Sequence, residues 1–211
     1  MNAIGGITGP LGLEVGLGAL MLLVLLMGIF RPSTPNRLTG WVTLIGLLVL
    51  TGVSFAVTPG GSLFNGSYEV DALGLFAKRL FLASAAISVL ATLGLSSDRY
   101  ARRGSEYHFA FMASLLGMLV LASARELLLL FVAFEMMSIP LYFLTGFQKK
   151  DDTAGEGALK FFLVGSVSSA ILLYGISFIF GATGTTNIAA IAGALAAGNV
   201  FVKLGLVLML A

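Results

Sequence analysis

"LLLLFVAFEMMSIPLYFL", residues 127–144, is apolar almost throughout, yet a glutamate, Glu135, stands at its middle, with Ser138, Pro140 and Tyr142 following. Eighteen helical residues rise about 27 Å, close to the ~30 Å hydrocarbon core of a bilayer. In that setting a carboxylate occupies the depth where it is most costly. The composition of the whole chain decides whether the setting is lipid. Of its 211 residues 58% are hydrophobic and only 10% charged, with a mean hydropathy of +1.01. Soluble domains carry roughly a quarter charged residues, so the chain belongs to the membrane class.

Seven apolar stretches follow one another, at roughly 11–30, 39–58, 72–96, 107–123, 126–147, 156–181 and 189–211. Turn and charge signals separate them: "RPSTPNR" (31–37), "TPGGSLFNGSYEVD" (58–71), "SSDRYARRGSE" (96–106), "ASARE" (122–126), "QKKDDTAGE" (148–156) and "GATGTTN" (181–187). Backbone facing lipid must satisfy its own hydrogen bonds, so each stretch is expected to be a helix. The expected fold is an all-α polytopic membrane protein with about seven transmembrane helices. The first stretch lacks a small-residue cleavage site and reads as a retained helix.

The chain has no cysteine, which excludes disulfides, iron–sulfur ligation and a thiolate zinc site. A single histidine, His108, argues against a histidine-built metal centre. The net charge of +2 is spread over separate loops and gives no nucleic-acid signal. Counting loops alternately, one side receives Arg31, Arg37, Arg99, Arg102, Arg103, Lys149 and Lys150. The other receives Arg125 beside Glu69, Asp71 and Glu126. A Lys/Arg excess marks the cytoplasmic side, so the amino terminus is expected outside.

Charged residues within or beside the spans need separate weighing. Lys78 and Arg79 lie near a helix end and are expected to snorkel to the interface. Glu14 opens the first helix, where a carboxylate suits the dipole, and reads as interfacial. His108 reads as an interfacial histidine, Arg125 and Glu126 as solvated turn residues, and Lys203 is left unassigned.

Glu135 is too deep to snorkel. Ser138 and Tyr142, at i+3 and i+7, give its helix one polar stripe, and Pro140 leaves the Met136 carbonyl without its helical donor. Lys160 stands on the next helix, one turn inside its end, with Glu156 at i−4. By helical rise Glu135 and Lys160 differ by roughly 10 Å in depth, so water or a third residue must link them. Such a pair reads as part of a proton pathway or, failing that, as a polar pin between helices.

The glutamate in "FEMMSIPLYFL" (134–144), the stretch "LKFFLVGSVSSAILLYG" (159–175) preceded by Glu156, and "FGATGTTNI" (180–188) carry a resemblance. Residues 106–188 resemble the antiporter-like membrane subunits of bacterial proton-pumping NADH:quinone oxidoreductase, respiratory complex I, in the subunit N branch. "YEVDALGLFAKRLFL" (68–82) fits more loosely, and the first two helices match only in kind.

The resemblance implies a subunit of fourteen helices in two inverted repeats, of which this chain would hold the first half, truncated at its carboxyl end. It implies that Glu135 and Lys160 belong to a charged mid-membrane axis; Ser138, Pro140 and Tyr142 are the supporting residues that the helix pattern itself suggests. It implies a non-redox subunit of a translocase, moving protons as electrons pass from NADH to quinone. NADH, FMN, iron–sulfur clusters and quinone would reside in partner subunits, with none bound to this chain and no metal. The partners would be other membrane-arm subunits in the bacterial inner membrane. A subunit of a multi-subunit cation/proton antiporter or of a membrane-bound hydrogenase is the alternative, and a non-conducting scaffold subunit a third reading.

The charge pattern predicts that cysteines placed at Ser97 and Thr153 label only from the cytoplasm and one at Gly61 only from outside. Labelling of all three from one side would overturn the arrangement.

Overall fold

Helices form over the uninterrupted apolar runs, and Gly, Asn or Asp stands at several of their ends, as at Gly146, Asp151 and Gly184. The computed structural model describes residues 9–30, 36–93, 103–148, 151–196 and 198–210. Among these, six helices are long and apolar enough to cross a membrane: α1 (Gly12–Phe30), α2 (Asn36–Ala56), α3 (Ala72–Leu93), α4 (Gly104–Leu121), α5 (Leu127–Thr145) and α6 (Asp152–Thr183). Two shorter helices follow, α7 (Ile188–Ala196) and α8 (Val200–Leu210). Between α2 and α3 a small antiparallel hairpin pairs β1 (Ser62–Leu63) with β2 (Tyr68–Glu69). Position 97, one of the labelling sites, lies outside the described residues.

The last apolar stretch, expected as one span over 189–211, is divided. Gly198 adopts φ +81°, a conformation that suits glycine, and Asn199 Oδ1 accepts from the Phe201 amide at 3.0 Å. Gly followed by Asn thus ends one helix and caps the next. The sixth helix, expected over 156–181, begins earlier, because the Asp151 carboxylate accepts from the Thr153 amide at 3.1 Å and caps it. At its far end Gly184 takes φ 66° and closes the helix onto the Phe180 carbonyl.

One core lies among α1, α2, α3 and α4, built from Leu17, Val24, Leu47, Leu82, Met112 and Leu119. α5 packs on α4, α6 on α5, and α8 on α6. A second core at that side joins Leu127, Ile176, Ile179, Ile191 and Val202. The outward faces of α5 and α6 stay apolar and exposed, with Val132, Ile139, Val164 and Val167 among them, as expected of surfaces meeting lipid.

Without a hydrophobic force between helices in lipid, close approach through small residues supplies the packing. A Cβ on Gly117 of α4 would lie 2.8 Å from the Met137 Cα of α5, so the two backbones touch there. Gly175 and Gly205 play the same part between α6 and α8, where a Cβ on Gly175 would meet the Gly205 carbonyl at 2.6 Å. Gly165 leaves its space to the Tyr142 ring.

Replacing Gly117 or Gly165 by leucine is therefore expected to cost about 1–3 kcal/mol each, the scale of overpacking a tight contact. The measurement is the yield of correctly assembled protein in the membrane. Wild-type yield for Gly165→Leu would mean that this position faces lipid.

Candidate functional site

Glu135 sits half-buried in the middle of α5, and its carboxylate accepts a hydrogen bond from the Ser169 hydroxyl of α6. Ser169 is on the same four-residue step as Gly165, where the missing side chain admits Tyr142 from α5. Tyr142 also meets Phe161 and Phe162 edge-on, with centroids 4.9 and 5.8 Å apart. Two contacts thus register α5 against α6: an aromatic one near Gly165 and a charge-assisted one at Ser169.

The other residues expected at the site take separate positions. The Ser138 hydroxyl is buried and turned back to the Phe134 carbonyl at 2.9 Å, within its own helix. Pro140 is accommodated inside α5. Lys160 is 72% exposed and pairs with Glu156 at 2.5 Å, so the structure does not bring it to Glu135. Ser169, level with Glu135, is nine residues along α6 from Lys160, which corresponds to about 13 Å of rise. Ser169 is a site residue that the sequence reading missed; the available sign was its hydroxyl on the four-residue step of Gly165.

At the end of the bundle where α3 begins, the structure corrects two expectations. Lys78 does not snorkel: it is 1% exposed and forms an ion pair with Glu14 at 2.7 Å. Glu14, 7% exposed, is likewise interior and not interfacial. Tyr68 of the hairpin joins them, donating to Glu14 Oε1 at 2.8 Å while accepting from Lys78 Nζ at 2.7 Å. Burial pushes the Tyr68 phenol upward, reinforced by the neighbouring Glu14 charge, so it stays a protonated donor. Arg79, the next residue, reaches the Ser54 carbonyl of α2 at 3.0 Å and lies over the Phe55 ring. His108 is also interior, packed near Gly40 and edge-on to Tyr107. Lys203 is exposed on α8.

The turn residues expected to be merely solvated tie three loops together. Arg125 pairs with Asp71 and, at 3.3 Å, with Glu69. Its amide donates to the Ser67 carbonyl at 2.8 Å, and its carbonyl accepts from the Ile188 amide at 3.1 Å. Glu126 accepts from the Thr186 hydroxyl, and the Leu127 amide donates to the Thr186 carbonyl at 2.9 Å. Among the described residues no group of three or more His, Cys, Asp or Glu could hold a metal ion.

The chain has counterparts among known proteins. The family described as NADH:quinone oxidoreductase/Mrp antiporter, TM, matches residues 124–211. F(420)H(2) dehydrogenase subunit N of Methanosarcina mazei is 37% identical over 188 residues, covering 85% of this chain and 38% of its own. NADH-quinone oxidoreductase subunit N of Trichlorobacter lovleyi is 35% identical over 205 residues, covering 93% of this chain and 41% of its own. The chain belongs to the antiporter-like membrane-subunit family.

A chain of respiratory complex I from Thermus thermophilus shares the fold with a TM-score of 0.72 and 30% identity, over 94% of this chain and 42% of that one. An archaeal membrane-bound sulfane sulfur reductase shares the fold alone, with a TM-score of 0.70 at 22% identity. The chain spans about two-fifths of the length of the curated relatives it matches. It is a multi-pass membrane protein.

The loop network carries a pH prediction. The Gly74 amide, then Arg125, hold the Asp71 carboxyl below its ordinary value of 3.8, and the Thr186 hydroxyl holds Glu126 below 4.5. A depressed carboxylate contributes stability that is present above its unfolded pKa and lost as pH falls through its folded one. Amide exchange at Arg125, Leu127 and Ile188 is therefore expected to stay slow near neutrality and to lose protection, relative to helix interiors, below about pH 4. Unchanged relative protection at pH 3 would mean that the backbone bonds alone hold the loops.

Proposed function

We propose that this chain is part of a membrane-arm subunit of a complex I-like oxidoreductase and contributes to proton translocation coupled to electron transfer to quinone. The observation that carries the reading is Glu135, an ionisable group at the middle of a transmembrane helix, half-buried and held by a hydroxyl of the next helix. Ionisable residues at that depth are functional by default, because hydrocarbon penalises them. The names of the relatives support the same reading, since a subunit N recurs in complexes with different electron donors. That recurrence favours a subunit that carries no redox chemistry. Flavin, iron–sulfur clusters, NADH and quinone would then belong to partner subunits, and other membrane-arm subunits would flank this one. We take the amino terminus to face outward on the loop charges, and the membrane to be the cell's inner membrane on the names of the bacterial relatives.

In physical terms, Glu135 holds a charge whose stability depends on its surroundings. A change in the protonation or position of a nearby cation would shift its pKa and so load or release a proton. Lys160 is the cation we assign to this path, with the interval along α6 bridged by water. A cation/proton antiporter remains the second reading, favoured by the breadth of the family itself, whose description includes such antiporters. Co-purification of the chain with flavin and iron–sulfur subunits separates the two.

Glu135→Gln preserves size and hydrogen bonding, so assembly is expected to survive while proton transport falls to a small fraction of wild type. Glu135→Asp should fall between the two, and Lys160→Ala should weaken the same function. The measurement is quinone reductase activity with proton uptake in sealed vesicles. Assembled Glu135→Gln with wild-type values for both makes the carboxylate a structural pin.

A further inference from the structure

A second ionisable site lies far from Glu135 along the chain. Glu14 of α1, Lys78 of α3 and Tyr68 of the hairpin close a triangle whose edges are 2.7, 2.7 and 2.8 Å. We propose that this triangle is a proton relay at the hairpin end of the bundle, a reading that rests on the chain belonging to a proton-translocating subunit.

Three observations carry it. First, both charges are sealed from solvent, and a buried ion pair is a poor device for stability alone. Well-packed apolar replacements of both partners are often as stable. Second, Glu14 Oε1 receives both donors, whereas Glu14 Oε2 is buried without a hydrogen-bond partner among the described residues. That oxygen is a place for a water that carries an exchangeable proton. Third, a cleft of about 340 Å³ at this end is lined by Pro10, one turn before Glu14, by Gly60, and by Val70, two residues beyond Tyr68. The cleft does not reach the triangle itself, but it brings open space to within a turn of Glu14 and two residues of Tyr68.

The transfer conserves charge. In the ion-paired state Lys78 is an ammonium and Glu14 a carboxylate. One proton passes from Lys78 Nζ to Tyr68 Oη as the phenol's own proton passes to Glu14 Oε1. The products are a neutral amine, a regenerated phenol and a carboxylic acid. The acid gives its proton to a water on the cleft side, forming hydronium, and a second hydronium returns one proton to the amine, leaving water and restoring the pair. The other charges near the site are engaged elsewhere: Arg79 on the Ser54 carbonyl, and Asp71 and Glu69 on Arg125.

The test uses the complete complex in sealed vesicles and reads protons moved per electron. Tyr68→Phe keeps the ring and removes the bridging hydroxyl. The double variant Glu14→Leu with Lys78→Met removes both charges together. Both are expected to lower proton transport at least about twofold in assembled complex, as loss of a positioned proton carrier should. An infrared difference spectrum under turnover should contain a carboxylic-acid band that disappears in Glu14→Gln. Wild-type transport in Tyr68→Phe overturns the relay, whether or not the double variant assembles. So does wild-type transport in an assembled double variant, or a spectrum without the band. Glu135→Gln, measured alongside, separates the two readings. Loss there with full transport in Tyr68→Phe overturns the relay alone, and the reverse pattern overturns the role of Glu135 alone.

Discussion

Hydrocarbon offers no partner to a peptide group, and the architecture follows from that one constraint. Within the described spans the backbone bonds close inside the helices, apart from the donor that Pro140 removes from α5. Where the chain leaves the helices, the freed groups find one another. The Arg125 amide meets Ser67, the Glu69 amide meets Ser123, and the Leu127 amide meets Thr186, at 2.8, 2.9 and 2.9 Å. Three loops distant in sequence thus become one hydrogen-bonded layer, to which the Asp71–Arg125–Glu69 charges add orientation. That layer seats Tyr68 on the buried pair below it, since Tyr68 itself bridges to Ala124.

The same constraint sorts the charged side chains by depth. Lys160 and Glu156 satisfy each other on an exposed face, where the pairing adds little to stability. Glu14 and Lys78 are enclosed, and removing either alone would strand a buried charge at a cost of about 3–5 kcal/mol. Glu135 lies between these extremes, half-buried and supported by a hydroxyl.

Element type and approximate position were legible because apolar runs of about twenty residues have one solution in lipid. The break at Gly198–Asn199 was also written in the sequence, as a glycine stop followed by an asparagine cap, but composition over a long window hides so short a signal. Glu135 stood out for its depth. Its partner Ser169 did not, because a serine in a small-residue stripe looks like packing until the facing helix is in register. Glu14 and Lys78 were misread for a related reason. Distance from a helix end suggested an interface, while the hairpin that folds over that end and buries them is a tertiary event with no local periodicity.

One consequence of the length of α6 concerns the lipid itself. Its 32 residues correspond to about 48 Å, and the run from Phe161 to Phe180 alone matches a ~30 Å hydrocarbon slab. The turns from Asp152 to Lys160 then stand among the headgroups. An anionic leaflet holds a surface potential of about −30 mV, which concentrates hydronium there by about half a pH unit. The exposed Glu156–Lys160 pair lies within that layer, so headgroup composition, as well as protein sequence, sets the acidity these two residues meet.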